Sequence, residues 1–308
     1  MRNAFASEIT ALAAEDPRAV LLMGDIGNRL FDDYRSKFAD RFLNCGVAEA
    51  NMIGIAAGMA LCGLRPVAYT IAAFSTVRCL EQIRVDVAFQ NLPVVIVGVG
   101  GGLSYAELNA THHSCEDIAM LRVLPNMAVV CPGDAIEVRL ALRAALRREG
   151  PTYLRLGKKG EPVVHREPPE FEIGRGIVVR PGSQVCLLST GNMLPTALQA
   201  ADLLKDRLST QVVSFHTVKP LDESLLERAF SSFDLVVSLE EHSVLGGLGG
   251  AIAEWLTEHP VPKPRLLRLG TDDRFIYQAT DQEHARALYN LAPEAVARRI
   301  LETCRLEA

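Results

Sequence analysis

The chain has 308 residues, more than one ordinary compact core holds, so two domains are expected. Hydrophobic residues make up 49% and charged residues 22%, a globular balance with enough apolar material for two cores. Lys and Arg number 32 against 37 Asp and Glu, a formal net charge of −5. With no basic surplus or stripe, a nucleic-acid binder held by phosphate neutralisation is excluded, whereas a small anionic substrate needs only a few local cations.

The first twenty residues interrupt their apolar run with Glu8 and Glu15 and read as an amphipathic helix rather than a signal peptide. No uncharged apolar stretch reaches the roughly 18 residues that span a membrane, so no membrane partner is expected and a cytoplasmic location follows by default. Apolar runs at 20–23, 66–69, 93–97, 127–130 and 152–155 predict strands, and helical stretches are predicted at 49–63, 75–91, 114–123 and 134–148. Continuous apolar strands alternating with amphipathic helices signify an α/β fold with a mostly parallel sheet covered on both faces. From 157 to 182 the composition turns to Pro, Gly and charge, as in a connection between domains. The alternation then resumes, with strands predicted at 185–189, 211–215, 235–239 and 266–269 and helices near 195–207, 222–230, 249–258 and 293–304. The seven cysteines are scattered without a Cys-x-x-Cys spacing and read as small buried hydrophobes, not as a zinc or disulfide framework.

Two glycine-rich turns, Gly98–Leu103 and Gly247–Ile252, invite a dinucleotide reading, but Leu103 and Ile252 stand where the last small residue of G-x-G-x-x-G belongs. Tight turns with close packing are the simpler account. The segment 44–60 is more informative. It starts a helix, carries small residues at Gly54, Ala57 and Gly58 for close helix approach, and places Glu49 in the first turn of an otherwise uncharged stretch. A carboxylate favouring a helix N-terminus explains Glu49 equally well from spacing alone. An acid in so apolar a setting is also suited to sharing a proton.

At this point the residues resemble a known family. Gly46-Val47-Ala48-Glu49 followed by Gly54 and Gly58 is similar to the pyrimidine-domain motif of thiamine diphosphate enzymes of the transketolase and 1-deoxyxylulose-5-phosphate synthase family. The segments Thr70–Phe74, Arg78–Arg84, Ala110–His113, Asp117–Met127, Val218–Asp222 and Glu240–Gly249 continue the resemblance in order over nearly the whole chain. It implies a pyrimidine-binding domain at 1–165, a linker at 166–182 and a transketolase C-terminal domain at 183–308, each a mostly parallel sheet flanked by helices.

The resemblance also implies roles. In the family the matching glutamate hydrogen-bonds the pyrimidine N1′ of thiamine diphosphate and promotes the imino tautomer that yields the nucleophilic thiazolium carbanion; Glu49 takes that place. Phe74 matches an aromatic that stacks on the aminopyrimidine, Ile71 stands where many members carry a second aromatic, and Asp25 resembles an acidic position near the cofactor mouth. His112 matches a histidine facing the substrate, and His113 sits where Gln is common. Lys158 falls where transketolases place an arginine for the substrate phosphate, although Lys offers a point charge and not a fork. The loop Gly100–Asn109 departs from the usual acidic pattern, which leaves the substrate open.

The Gly-Asp-Gly signature for Mg²⁺ and diphosphate does not occur in the sequence. The resemblance therefore implies the C-terminal subunit of a split transketolase, with Mg²⁺ ligands expected from an N-terminal partner subunit. An α₂β₂ heterotetramer with this chain as inner dimer is expected, moving a two-carbon ketol unit between sugar-like substrates. The alternatives are the beta subunit of a 2-oxoacid dehydrogenase and a non-catalytic, regulatory transketolase-like subunit.

Overall fold

A computed structural model describes residues 1–27, 29–262 and 265–305. The strands are β1 (Ala19–Met23), β2 (Phe42–Asn44), β3 (Arg65–Ile71), β4 (Val95–Val99), β5 (Ala128–Val130), β6 (Thr152–Leu156), β7 (Ile177–Arg180), β8 (Val185–Ser189), β9 (Thr210–Ser214), β10 (Thr217–Lys219), β11 (Leu235–Ser243) and β12 (Leu266–Thr271). The helices are α1 (Arg2–Glu15), α2 (Asp32–Lys37), α3 (Glu49–Leu61), α4 (Ala72–Thr76), α5 (Leu80–Gln82), α6 (Asp117–Arg122), α7 (Ala135–Arg147), α8 (Leu194–Leu204), α9 (Glu223–Ser232), α10 (Leu248–Glu258), α11 (Gln282–Leu288) and α12 (Pro293–Arg305).

Two sheets result. A seven-stranded sheet has the order β10-β5-β6-β4-β3-β1-β2 and a five-stranded sheet the order β12-β11-β8-β9-β7. Each is parallel except for one antiparallel edge strand, β10 on β5 and β7 on β9. The expected α/β architecture of two mostly parallel, helix-flanked sheets is what the chain forms. Strand β7 lies inside the 166–182 stretch expected as a linker, and β10 takes residues of the second half of the chain into the first sheet.

The period of two along each strand divides the core. In β1, Val20 and Leu22 join one cluster while Ala19 and Leu21 join another with α1 and α7. In β8, Cys186 and Leu188 face the first of these clusters, whereas Val185 and Leu187 pack with α8 and α12. The cluster of Val20 and Leu22 is thus continuous between the two sheets, running from Met52 and Ile83 to Phe215, Val236 and Trp255.

The helix expected over 75–91 is broken. Ala72–Thr76 is α-helical, Val77–Cys79 is 3₁₀, and Ile83–Ala88 is a π-helix. Ser75 and Thr76 both donate their hydroxyls to the Ala72 carbonyl, a back-bond that bends helices. Phe74 and Arg78 lie on this broken run, which follows the carboxyl end of β3. Cysteines behave largely as expected, with Cys79, Cys115, Cys131 and Cys186 buried, while Cys62 is exposed.

Where the chain crosses from β9 to β10, His216 is fully buried and stacks on Phe171 at 4.1 Å. Its Nδ1 meets Thr217 Oγ1 at 2.9 Å, and its Nε2 has no partner. Burial lowers its pKa from 6.5 to about 4, so between those values the unfolded chain binds one more proton and stability falls as pH drops. His216→Gln is expected to remove one proton, about 1.4 kcal/mol per pH unit, from the slope of unfolding free energy against pH in that window. Parallel slopes for the two proteins in urea titrations would disprove the assignment.

Candidate functional site

Glu49 stands in the first turn of α3, with its side chain only 2% exposed. Gly46, at φ 67°, turns the chain into the helix, and its N–H donates to Asn44 Oδ1 at 3.0 Å. Gly24, just past β1, lets the strand ends close on this carboxyl group. A Cβ there would sit 2.9 Å from Thr70 Oγ1 and 3.5 Å from Glu49 Cγ. The Thr70 hydroxyl is buried without a partner.

Arg78 donates to Glu49 Oε2 at 2.9 Å and lies 4.4 Å above the Phe74 ring. The other neighbour of Phe74 is His112, edge-on at 5.1 Å. Burial lowers the His112 pKa, and its Nδ1 meets Thr111 Oγ1 at 2.9 Å. Glu49, Phe74 and His112 are thus brought together, with Arg78 as the link. Ile71 forms the N-cap of α4 beside them and is partly buried. Asp25 follows Gly24, at φ 52°, and accepts from Asn44 Nδ2 at 2.8 Å. It lines a cleft of about 790 Å³ that also holds Arg29 and Arg35.

Lys158 lies one aromatic ring away from this group. Its ammonium is 5.0 Å from the Tyr105 ring, whose other neighbour is His112 at 6.5 Å, and it pairs with Glu107. Burial, then the charges of Lys159 and Arg2, lower the Lys158 pKa. His113 points away from the Phe74 group. It is 8% exposed with Nε2 unpartnered, and burial lowers its pKa. It lines a separate cleft of about 400 Å³ with Ser243, Thr271, Asp272, Arg274 and Tyr277 of the second half of the chain.

The roles of two residues, Arg78 and Arg2, escape the sequence reading. Arg78 sits four residues after Phe74, a spacing that puts two side chains on one helix face, and this was the available signal. Arg2 and Lys158 are far apart in sequence, and nothing local announces their proximity. Among the described residues, no group of three or more His, Cys, Asp or Glu side chains is placed to hold a metal ion.

The chain and its fold are similar to known proteins. A family model described as "Transketolase, pyrimidine binding domain" matches residues 1–161, and one described as "Transketolase, C-terminal domain" matches 174–296. A protein of Methanocaldococcus jannaschii called a putative transketolase C-terminal section is 35% identical, over 100% of this chain and 97% of its own length. One of the subunits of an apulose-4-phosphate transketolase from Phocaeicola vulgatus is 32% identical, over 98% of this chain and 96% of its length. A solved structure, an inactive β4 tetramer of a split-gene transketolase, superposes with a TM-score of 0.89 at 34% identity, covering 98% of this chain and 97% of that one.

Breaking a fully buried ion pair costs about 3–5 kcal/mol, and Arg78, at 48% exposure, is only half withdrawn from water. Arg78→Gln is accordingly expected to lower the unfolding free energy by about 1–2 kcal/mol, read from the urea midpoint. An unchanged midpoint would show that Glu49 does not depend on this guanidinium.

Proposed function

The chain belongs to the transketolase family, and on that premise we propose that it is the C-terminal subunit of a split, thiamine diphosphate-dependent transketolase that moves a two-carbon ketol unit between sugar-like substrates. The observation that carries this reading is the group formed by Glu49, Arg78, Phe74 and His112. The planar Arg78 guanidinium lies over the Phe74 ring and donates to the Glu49 carboxylate. An aminopyrimidine needs the same two contacts, an aromatic face and a buried carboxyl oxygen, and the unpartnered Thr70 hydroxyl adds a polar group beside them. The residues present therefore fit the cofactor's pyrimidine end.

When bound, thiamine diphosphate supplies the nucleophilic carbon that takes up and passes on the ketol unit. Glu49, whose side chain is only 2% exposed, would present its carboxyl group to the ring nitrogen for proton sharing. Phe74 orients the ring by stacking, with Ile71 as an aliphatic wall, and Asp25 lies at the mouth. His112 is held neutral by burial, with Nδ1 engaged by Thr111, which leaves Nε2 for a substrate hydroxyl. His113 is assigned to the substrate side, although it lines a separate cleft from the one at Phe74. Lys158, with Arg2 close by, suits an anionic group on the sugar, which must displace Glu107. The phosphorylated sugar in the name of the Phocaeicola vulgatus relative supports this class of substrate.

The diphosphate and its Mg²⁺ are assigned to a separate N-terminal subunit, and this chain to the inner dimer of an α₂β₂ assembly. Two relatives, one named as a C-terminal section and the other as one subunit of its enzyme, support a divided enzyme. The β4 tetramer of the split-gene transketolase supports a chain that associates with its own kind. The domain limits 1–165 and 183–308, a cytoplasmic location and the substrate roles above belong to the same proposal. Among the described residues, no helix is long and apolar enough to cross a membrane.

Glu49→Gln tests the reading directly. The amide keeps the volume, and the half-exposed Arg78 can return to water, so the variant is expected to fold with a melting temperature close to that of the parent. Ketol transfer by the pair reconstituted with its N-terminal subunit is expected to fall by about 10²–10⁴-fold. Activity near that of the parent would disprove the role of Glu49, and turnover of 2-oxoacids instead of ketoses would disprove the reaction.

A further inference from the structure

The triglycine Gly100-Gly101-Gly102 has a packing role in the structure. Gly100 and Gly102 take φ values of 77° and 68°. A Cβ on Gly101 would lie 2.7 Å from Arg155 Nε, and one on Gly102 would lie 2.5 Å from the Glu241 carbonyl and 2.6 Å from its Oε1. Glycine is needed here because a second part of the protein presses against the backbone. That part is Glu241, on β11 of the five-stranded sheet.

Gly102 and Ser114 exchange both backbone hydrogen bonds, at 2.8 and 2.9 Å, closing residues 103–113 into a loop with a two-residue base. The loop carries Tyr105, Glu107, His112 and His113. Its base is gripped from two sides. Arg155 donates to the Ser114 carbonyl at 2.8 Å and to the Glu241 carbonyl at 2.9 Å. The Glu241 carboxylate, fully buried, accepts from the Leu103 N–H at 2.7 Å. The carboxylate itself is fixed by Gln282 at 2.9 Å, by Asn192 at 3.3 Å and by the Arg286 guanidinium. All three come from helices or turns of the second half of the chain. Leu103 and Ala106 continue the attachment by packing with Met193, Leu194 and Leu239.

We propose that Glu241 is a positioning residue for the substrate-side loop: through the Leu103 amide it fixes where His112 and His113 stand, although it touches neither substrate nor cofactor. The second domain thereby acts on the reaction from behind the loop. The proposal rests on the reading that this loop faces the substrate. The cofactor residues Glu49, Phe74 and Arg78 lie on α3 and the broken helical run after β3, outside the loop, so loop misplacement is expected to affect substrate more than cofactor.

The experiment compares the parent with Glu241→Ala, Glu241→Gln and Gly102→Ala. Imidazole resonances of His112 and His113 are recorded by NMR on the isolated ¹⁵N-histidine-labelled chain. In the reconstituted pair, KM for a ketose donor is measured beside the thiamine diphosphate concentration for half-saturation. Glu241→Ala and Gly102→Ala are expected to shift both histidines and to raise KM by about 10-fold or more, with cofactor half-saturation within about twofold. Glu241→Gln keeps an acceptor for the Leu103 N–H but turns an NH2 group toward Arg286, and is expected to fall between the parent and Glu241→Ala. The double variant of Glu241→Ala and Gly102→Ala is expected to be little worse than either single one, since both break one contact.

Unshifted histidines in a folded Glu241→Ala chain would overturn the proposal, as would KM and cofactor half-saturation rising in equal proportion. If Glu241→Ala does not fold, the histidine shifts of Gly102→Ala decide between the same two outcomes. If the parent pair transfers no ketol unit, the proposed function fails, and the NMR comparison still decides the role of Glu241.

Discussion

One guanidinium, buried at the carboxyl end of β6, joins three parts of the chain. Arg155 donates to Asp117 at the start of α6, to Ser114 at the base of the substrate-side loop, and to the backbone of Glu241 in the second sheet. Only the rigid fork of arginine reaches three acceptors in fixed directions; a lysine would supply one point charge. Burial works against a charged Asp117, yet Arg155 holds its pKa below the ordinary carboxylate value, and Tyr153 donates to it at 2.7 Å. Pairs as dry as this add little net stability compared with apolar residues of the same volume. They fix directions, and the placement of the loop depends on those directions.

Strand β11 extends the same logic over three consecutive residues, each of which satisfies a backbone donor left over elsewhere. Glu240 accepts from the Leu248 and Gly249 N–H groups at 2.7 and 2.9 Å, capping α10. Glu241 takes the Leu103 N–H of the loop. His242 accepts from Ala119 N–H through Nε2 and donates from Nδ1 to the Ser243 carbonyl, so it is neutral and in a defined tautomer. The dryness of the region pushes Glu240 up to about 7 and His242 down to about 4. Gly247 explains itself in the same way, since any Cβ on it would collide with the Glu240 carboxylate. In each glycine-rich turn one glycine, Gly102 or Gly247, makes room for a glutamate of the protein.

Most of the strands were legible because fully buried parallel strands are written as continuous apolar runs. The elements that sequence pattern does not reveal are short or polar: β2, with Leu43 and Asn44 exposed, α2, with its charged face, and the edge strands β7 and β10. Glu49 was legible as a lone acid in an apolar helix start, and Phe74 through its family motif. Arg78 was visible in the same motif but its role was not, because the pairing with Glu49 depends on a helix broken by Ser75 and Thr76. The divergence of His112 and His113 could not be read either. Neighbours in sequence, they part because one edge of the loop meets Phe74 while the other is buried toward the second sheet.

Strand β10 carries a consequence for the way the chain comes into being. It completes the edge of the first sheet beside β5, yet it is translated some ninety residues later, after β8 and β9 of the second sheet. A nascent chain that has emerged through β6 therefore holds β5 with one open edge, and Arg155 without its Glu241 acceptor. Since domains ordinarily fold as they leave the ribosome, this arrangement delays closure of the first sheet until most of the second is made. The two halves mature together, and an unpaired strand edge stays exposed to other chains for the length of that wait.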